Sequence, residues 1–361
     1  MYREIRARNT KLTSGADSRL RRLAIVAPLG LLLISAMSGC RDESKISFTD
    51  LAKFVEDDNG NVTTIVLRYK HLEHDSLEGM AEKHGNVVRL TIQDCKGVTD
   101  AMLTEVAKLK NLEELELLDV AITDRGLSHL AGHPKLRRLQ LADTKVTGTG
   151  LSHLAKTLVS LELRGDAVTT EGARTIGELT NLEKLFLHCS KITVADLDNF
   201  EDLGKLREWE SFFTPNGKGA GAAVAQIPNL ESLYLSGKGM VDSDVAEISK
   251  MNSLLVLKLS QGEITDAGLA HVGELVGLER LYLGGCVGIS DDGLAHLSPL
   301  TSLTYLDLMD SGVTGSGLLH LLPLASLELV ELTAQQFTHT HSIIQELNKV
   351  LPDCEVSIVQ G

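Results

Sequence analysis

Aromatic residues make up only 4% of the 361-residue chain, with a single tryptophan. A chain this long that buries a core must therefore fill it with leucine, isoleucine and valine. Hydrophobic runs of membrane-spanning length are missing as well. The longest, Leu23–Ile34, has twelve residues and is broken by Pro28 and Gly30, too few for the roughly 20 that a spanning helix needs. The motifs of common enzyme classes are also absent: the sequence contains no G-x-S-x-G elbow, no H-E-x-x-H pair and no dinucleotide fingerprint. Nor does the glycine-rich run Gly217-Lys218-Gly219-Ala220-Gly221 have the spacing of a phosphate-binding loop. No enzyme and no cofactor is expected. Net charge is −14, and −19 without residues 1–39, which argues against nucleic acid or an anionic membrane surface as the main partner.

What fills the chain is one unit, repeated. From Leu254 the sequence reads Leu-Leu-Val-Leu-Lys-Leu-Ser-Gln-Gly-Glu-Ile-Thr-Asp-Ala-Gly-Leu-Ala-His-Val. Its alternating leucines predict a short strand, and its Gly262 a turn. Ile264 then points inward, Thr265-Asp266 cap a helix start, and Leu269 and Val272 share a helical face. Twelve such units begin at Val62, Val87, Leu112, Leu136, Leu158, Leu182, Leu206, Leu230, Leu254, Leu278, Leu303 and Leu327. Most steps are 24 residues; three are 25, and the one from Leu136 is 22.

This period, with L-x-x-L-x-L, resembles the leucine-rich repeats. Leu278 to Leu294, with Cys286, and Val87 to Leu103, with Cys95, are similar to the cysteine-containing, ribonuclease-inhibitor-like subfamily found beside F-boxes in ubiquitin ligases. The resemblance covers about residues 62–334 and implies an α/β fold. That fold is a right-handed solenoid or horseshoe, with a parallel sheet on the concave face, helices on the convex face and a binding role. Residues 41–61 are too few for an F-box.

The N-terminus carries Arg3, Arg6, Arg8, Lys11, Arg19, Arg21 and Arg22 before the short apolar run, then Ser38-Gly39-Cys40. A basic stretch, a short apolar core and small residues form a signal-peptide pattern. The Cys after Ser-Gly resembles the lipobox of bacterial lipoproteins, which implies lipidation at Cys40. The expected organisation is a signal peptide over 1–39, a linker and capping helix over 40–61, the repeat array over 62–334, and a capping helix and strand over 335–361. The chain is expected to be exported and lipid-anchored at the cell membrane or outer membrane. It would face the periplasm or exterior, touch membrane only through the lipid, and be a monomer.

Two features tempt a metal assignment. His129, His153, His271, His296 and His320 recur at one helix position, but neighbouring helices pack about 8–10 Å apart, too far for imidazoles that share an ion at about 2.1 Å. His71-x-x-His74 lacks a third ligand. No metal site is expected. Cys95, Cys189, Cys286 and Cys354 lie three or four repeats apart, beyond the roughly 7 Å that a disulfide allows between Cα atoms.

The unit from Leu206 is irregular. Trp209 and Ser211 replace leucines, and Phe212-Phe213-Thr214-Pro215-Asn216 leads into the glycine-rich run. Two readings stand: a loop that bends the array, or part of a binding site. The positions between strand leucines form the concave face, and the scarce aromatics favour it: Phe186, Tyr234, Tyr282 and Tyr305. With Lys258, Arg280 and Asp307 they make a candidate surface for a protein or peptide, since Tyr and Arg are common interface anchors. A structural spacer of the envelope or surface layer, and a carbohydrate-binding adhesin, are the alternatives.

Overall fold

The computed structural model describes residues 52–73, 75–212, 217–336 and 341–359. The expected signal segment, Cys40, His74 and the loop residues Phe213, Thr214, Pro215 and Asn216 lie outside them. Among the described residues, fourteen strands form one sheet in strict chain order. They are β1 (Ala52–Glu56), β2 (Val62–Arg68), β3 (Arg89–Gln93), β4 (Glu114–Leu118), β5 (Arg138–Ala142), β6 (Ser160–Arg164) and β7 (Lys184–His188), then β8 (Glu208–Phe212), β9 (Ser232–Ser236), β10 (Val256–Ser260), β11 (Arg280–Tyr282), β12 (Tyr305–Asp307), β13 (Leu329–Thr333) and β14 (Glu355–Val359). From β2 to β14 every neighbouring pair is parallel.

Register follows the leucines. Leu233, Leu257, Leu281 and Leu306 pair in line across β9–β12, and all are fully buried. A slip of one residue would turn that whole row to solvent, so burial locks the ladder. Trp209 takes the same row in β8 and is fully buried. Its ring meets Phe200 edge-on at 5.6 Å. Ser211, buried two residues on, is small where its neighbours Leu187 and Leu235 are large. The large-then-small exchange keeps the core filled at the irregular repeat.

Between strands the chain returns through short α or 3-10 helices. Thr265 caps the helix Asp266–Val272, its hydroxyl accepting from Ala267 N. Thr265 is itself held by the preceding repeat: its N–H and hydroxyl donate to Asp242 at 2.8 and 2.7 Å. The same link joins Asp100 to Thr123, Asp124 to Thr147, Asp266 to Ser290 and Asp291 to Thr314. Gly268 makes room for it, since a Cβ there would lie 2.5 Å from an Asp242 oxygen. The link fails in the middle of the array. Asp196 caps Thr193 of its own helix, and Asp244 reaches backwards to Gly219 and Gly221.

The N-terminal cap corrects the expected capping helix. Residues Ala52–Glu56 form a strand, antiparallel to β2. An open β2 edge presents unpaired N–H and C=O groups, which a strand can satisfy and a helix cannot. The turn Asp57-Asp58-Asn59-Gly60-Asn61 supplies the reversal: Gly60 has φ 76°, and Asp57 accepts from the N–H groups of Asn59 and Asn61. At the other end the helix His341–Val350 and parallel β14 close the array. Among the described residues no helix is long and apolar enough to cross a membrane.

Candidate functional site

Because side chains alternate along a strand, residues aligned across β7–β13 form straight rows on the face opposite the leucines. One row runs Phe186, Glu210, Tyr234, Lys258, Tyr282, Asp307, Glu331. The row beside it contains Val256, Arg280 and Tyr305. Six of the seven expected surface residues are thus brought together on four strands, β9 to β12. Phe186 is set apart on β7, two strands from Tyr234 with Glu210 between them.

Five of the six are linked by ring contacts, and Asp307 stands beside Tyr282 in the strand register. Tyr282 lies 4.7 Å from Tyr305 and 6.4 Å from Tyr234, ring centre to ring centre. Lys258 Nζ sits 5.8 Å from the Tyr282 ring, and the Arg280 guanidinium 5.2 Å from the Tyr305 ring, both within cation–π range. Among the described residues neither cation makes an ion pair. Burial pushes the Tyr234 phenol up to about 12 and raises Tyr282 as well. Burial, then the hydrogen bond to Glu331, raises Tyr305 further. All three remain O–H donors at neutral pH.

Asp307 is 7% exposed. Burial raises its carboxyl, and nearby Glu331 adds to that, against the lowering bond from Met309 N at 2.9 Å. Gly284 gives it space, since a Cβ there would meet an Asp307 oxygen at 3.1 Å. Glu331, which the strand offsets place on the concave face but outside the candidate patch, accepts from the Tyr305 hydroxyl at 2.5 Å. Its signal was available: it occupies the same strand offset as Asp307, one repeat on. Glu210 was also missed. It lies 3.2 Å from His188, whose contact holds its carboxyl low.

Other candidates stay dispersed. The described cysteines are free and buried. Burial lifts the Cys189 thiol to about 12 and those of Cys286 and Cys354 to about 11, which suits packing and not nucleophilic chemistry. The recurring histidines fall on the return helices, and His271 contacts Glu274 at 3.1 Å. No cluster of three or more His, Cys, Asp or Glu able to hold a metal occurs among the described residues.

The family model for the leucine-rich repeat matches residues 132–155 and 300–322. No curated protein matches the chain. Among solved structures, the chain is similar to an internalin from Listeria monocytogenes, at 20% identity and a TM-score of 0.52, covering 83% of this chain and 86% of that one. It is likewise similar to a yeast structure of Rad7 with Elc1, at 20% identity and a TM-score of 0.52, covering 74% and 75%. The one-residue-in-two leucine rows, the single parallel ladder and these likenesses lead to one conclusion: the fold is an α/β leucine-rich-repeat solenoid.

Proposed function

We propose that this protein is a non-catalytic recognition scaffold that captures a protein or peptide on its concave face, at the surface built by β9–β12. The observation that carries the reading is the contact set of Tyr234, Lys258, Arg280, Tyr282 and Tyr305, with Asp307 beside Tyr282 in the register. Rigid tyrosines lose little side-chain entropy on binding, and cations resting on rings are available to a partner's carboxylates or carbonyls. Leucine-rich-repeat solenoids generally serve as protein-interaction modules, and the Rad7 structure is itself that of a complex with Elc1.

The scaffold is exported and held by a lipid on Cys40 at a bacterial envelope, facing the periplasm or exterior. The motif Ser38-Gly39-Cys40 behind a basic stretch and a short apolar run supports this. Mass spectrometry of the mature N-terminus checks it: a diacylglyceryl-modified Cys40 is expected, and an unmodified terminus at another residue would refute it.

Site-specific photo-crosslinking in the native envelope tests the recognition role. A crosslinker at Tyr282 should capture a discrete, saturable partner, and the same group at His153, on a return helix, should not. The partner should be lost in Arg280→Glu. Equal capture from both positions, or capture indifferent to Arg280→Glu, would remove the assignment. Loss of a central interface residue costs about 2 kcal/mol or more, some thirtyfold in affinity.

A further inference from the structure

The step of 22 residues from Leu136 is the shortest in the array, and its missing length can be located. In the repeat before it, six residues separate the last buried helix leucine, Leu130, from the next strand leucine, Leu136; in the short repeat Leu154 and Leu158 are four apart. The deletion therefore falls in the loop that returns from helix to strand, at Lys156-Thr157. The loops of the repeats on either side keep their full length. At this loop lies a notch of about 380 Å3 that includes Lys156 and Thr157 in its lining and none of the residues of the tyrosine surface. That volume is within the range of about 300–1,000 Å3 typical of small-ligand sites.

The chemistry of the notch opposes that of the molecule. In a chain of net charge −14, it is lined by Lys135, Arg137, Lys156 and Lys205, with Glu183 as its lone carboxylate. The four cations come from three of four successive repeats, Arg137 and Lys156 sharing one, so the solenoid itself gathers them. None is neutralised by an acid. Lys135 Nζ donates to the amide oxygen of Asn111 at 2.7 Å, and Lys205 Nζ to that of Asn181 at 2.6 Å. Arg137 and Lys156 make no ion pair among the described residues. Elsewhere in the array Arg138, Arg164, Arg174, Lys184 and Lys250 all lie on carboxylates. A recess lined by one sign of charge concentrates the opposite ion.

We propose that this notch is an anion site for a phosphate group, in which Arg137 offers its planar fork and Lys135, Lys156 and Lys205 their ammonium charges. The phosphate is either free or carried as a lipid headgroup, and the chemistry of recognition is common to both. The site is independent of the tyrosine surface: it shares no residue with it.

Calorimetry on the full chain with inorganic phosphate, and co-sedimentation with phosphatidylglycerol vesicles against phosphatidylcholine vesicles, form the two arms. Saturable binding in either arm is expected at low ionic strength, weakening several-fold on going to about 0.15 M salt. Saturation by phosphate identifies the free ion; saturation by phosphatidylglycerol alone identifies the headgroup. The double variant Arg137→Gln/Lys156→Gln should bind about tenfold more weakly, two exposed charge contacts having been removed. Lys156→Arg should retain binding, and Lys191→Gln, elsewhere on the surface, should leave it unchanged. All four side chains are exposed, and equal melting temperatures verify that the variants fold. Arg280→Glu should not alter phosphate binding, which separates this site from partner capture. No saturation in either arm, or equal affinity in the double variant, would overturn the proposal.

Discussion

The concave face divides into two halves on one parallel ladder. On β3–β8 the charged rows neutralise themselves. Glu114 accepts from Arg89 on one side and, at 2.8 Å, from Arg138 on the other. Arg164 pairs with Glu162 at 2.7 Å, and Lys184 with Glu208. On β9–β12 the cations rest on tyrosine rings, and the carboxyl of Asp307 is buried against its own backbone. Opposite charges facing across strands stabilise the sheet and leave little for a partner. Tyrosines in contact also steady the sheet, but the cations on their rings keep a charge that no carboxylate neutralises. The difference teaches that leucine spacing builds the ladder while the residues between leucines decide, strand by strand, whether its face is closed or available.

If the halves differ only in those rows, core truncation should not distinguish them. Leu115→Ala and Leu281→Ala, both fully buried, should each cost about 2–5 kcal/mol. Urea unfolding checks this, and a large disparity between them would mean that the frameworks differ too. A smaller loss is expected on the helix side. Asp124→Ala removes bonds from Thr147 N, Thr147 Oγ1, Gly148 N and Gly150 N. It should cost about 1.5–3 kcal/mol, nearer the lower figure given its partial exposure.

That carboxylate also sets a pH response. Burial raises Asp124, but the four bonds outweigh it and leave it below its usual 3.8; Asp291 is lowered in the same way. A depressed folded pKa gives stability that is present above the unfolded value near 3.9 and lost as pH falls through the folded one. Acid titration followed by circular dichroism should show the loss below about pH 4, and Asp124→Asn should flatten it. Arg138→Gln, in the self-neutralised half, should cost at most about 1 kcal/mol, because the guanidinium is largely exposed. The smallest effect, with the opposite sign, is expected at Asp307. Its folded carboxyl is raised, so stability falls as pH rises through it, and Asp307→Asn should leave the pH 7 melting temperature unchanged or slightly higher. A clear drop would show that the ionised form is held favourably after all.

Much of this was legible in the residues. The step of two dozen, the inward Ile264 and the caps at Thr265 led directly to strand, turn and helix. The strand offsets also place Tyr234, Lys258, Arg280, Tyr282, Tyr305 and Asp307 on one face. What was not legible has physical reasons. The spacing of Phe48, Leu51, Phe54 and Val55 suggests a helical face, yet Phe54 and Val55 lie in a strand, because the open edge of β2 takes one up. Phe186 shares the face but not the contact, since Glu210 intervenes. Glu331 joined the site because its carboxylate reaches a neighbouring strand's hydroxyl, a distance that no spacing rule measures.

The order of leucines alone determined the ladder: each module can bury its apolar side only against the next, so period and register follow from local pattern. Which charges cancel, which tyrosines touch, and where a shortened loop leaves a cationic recess were decided only when the modules stacked. These depend on side chains two dozen residues apart meeting across about 5 Å. A periodic sequence guarantees that meeting, but it does not specify the outcome.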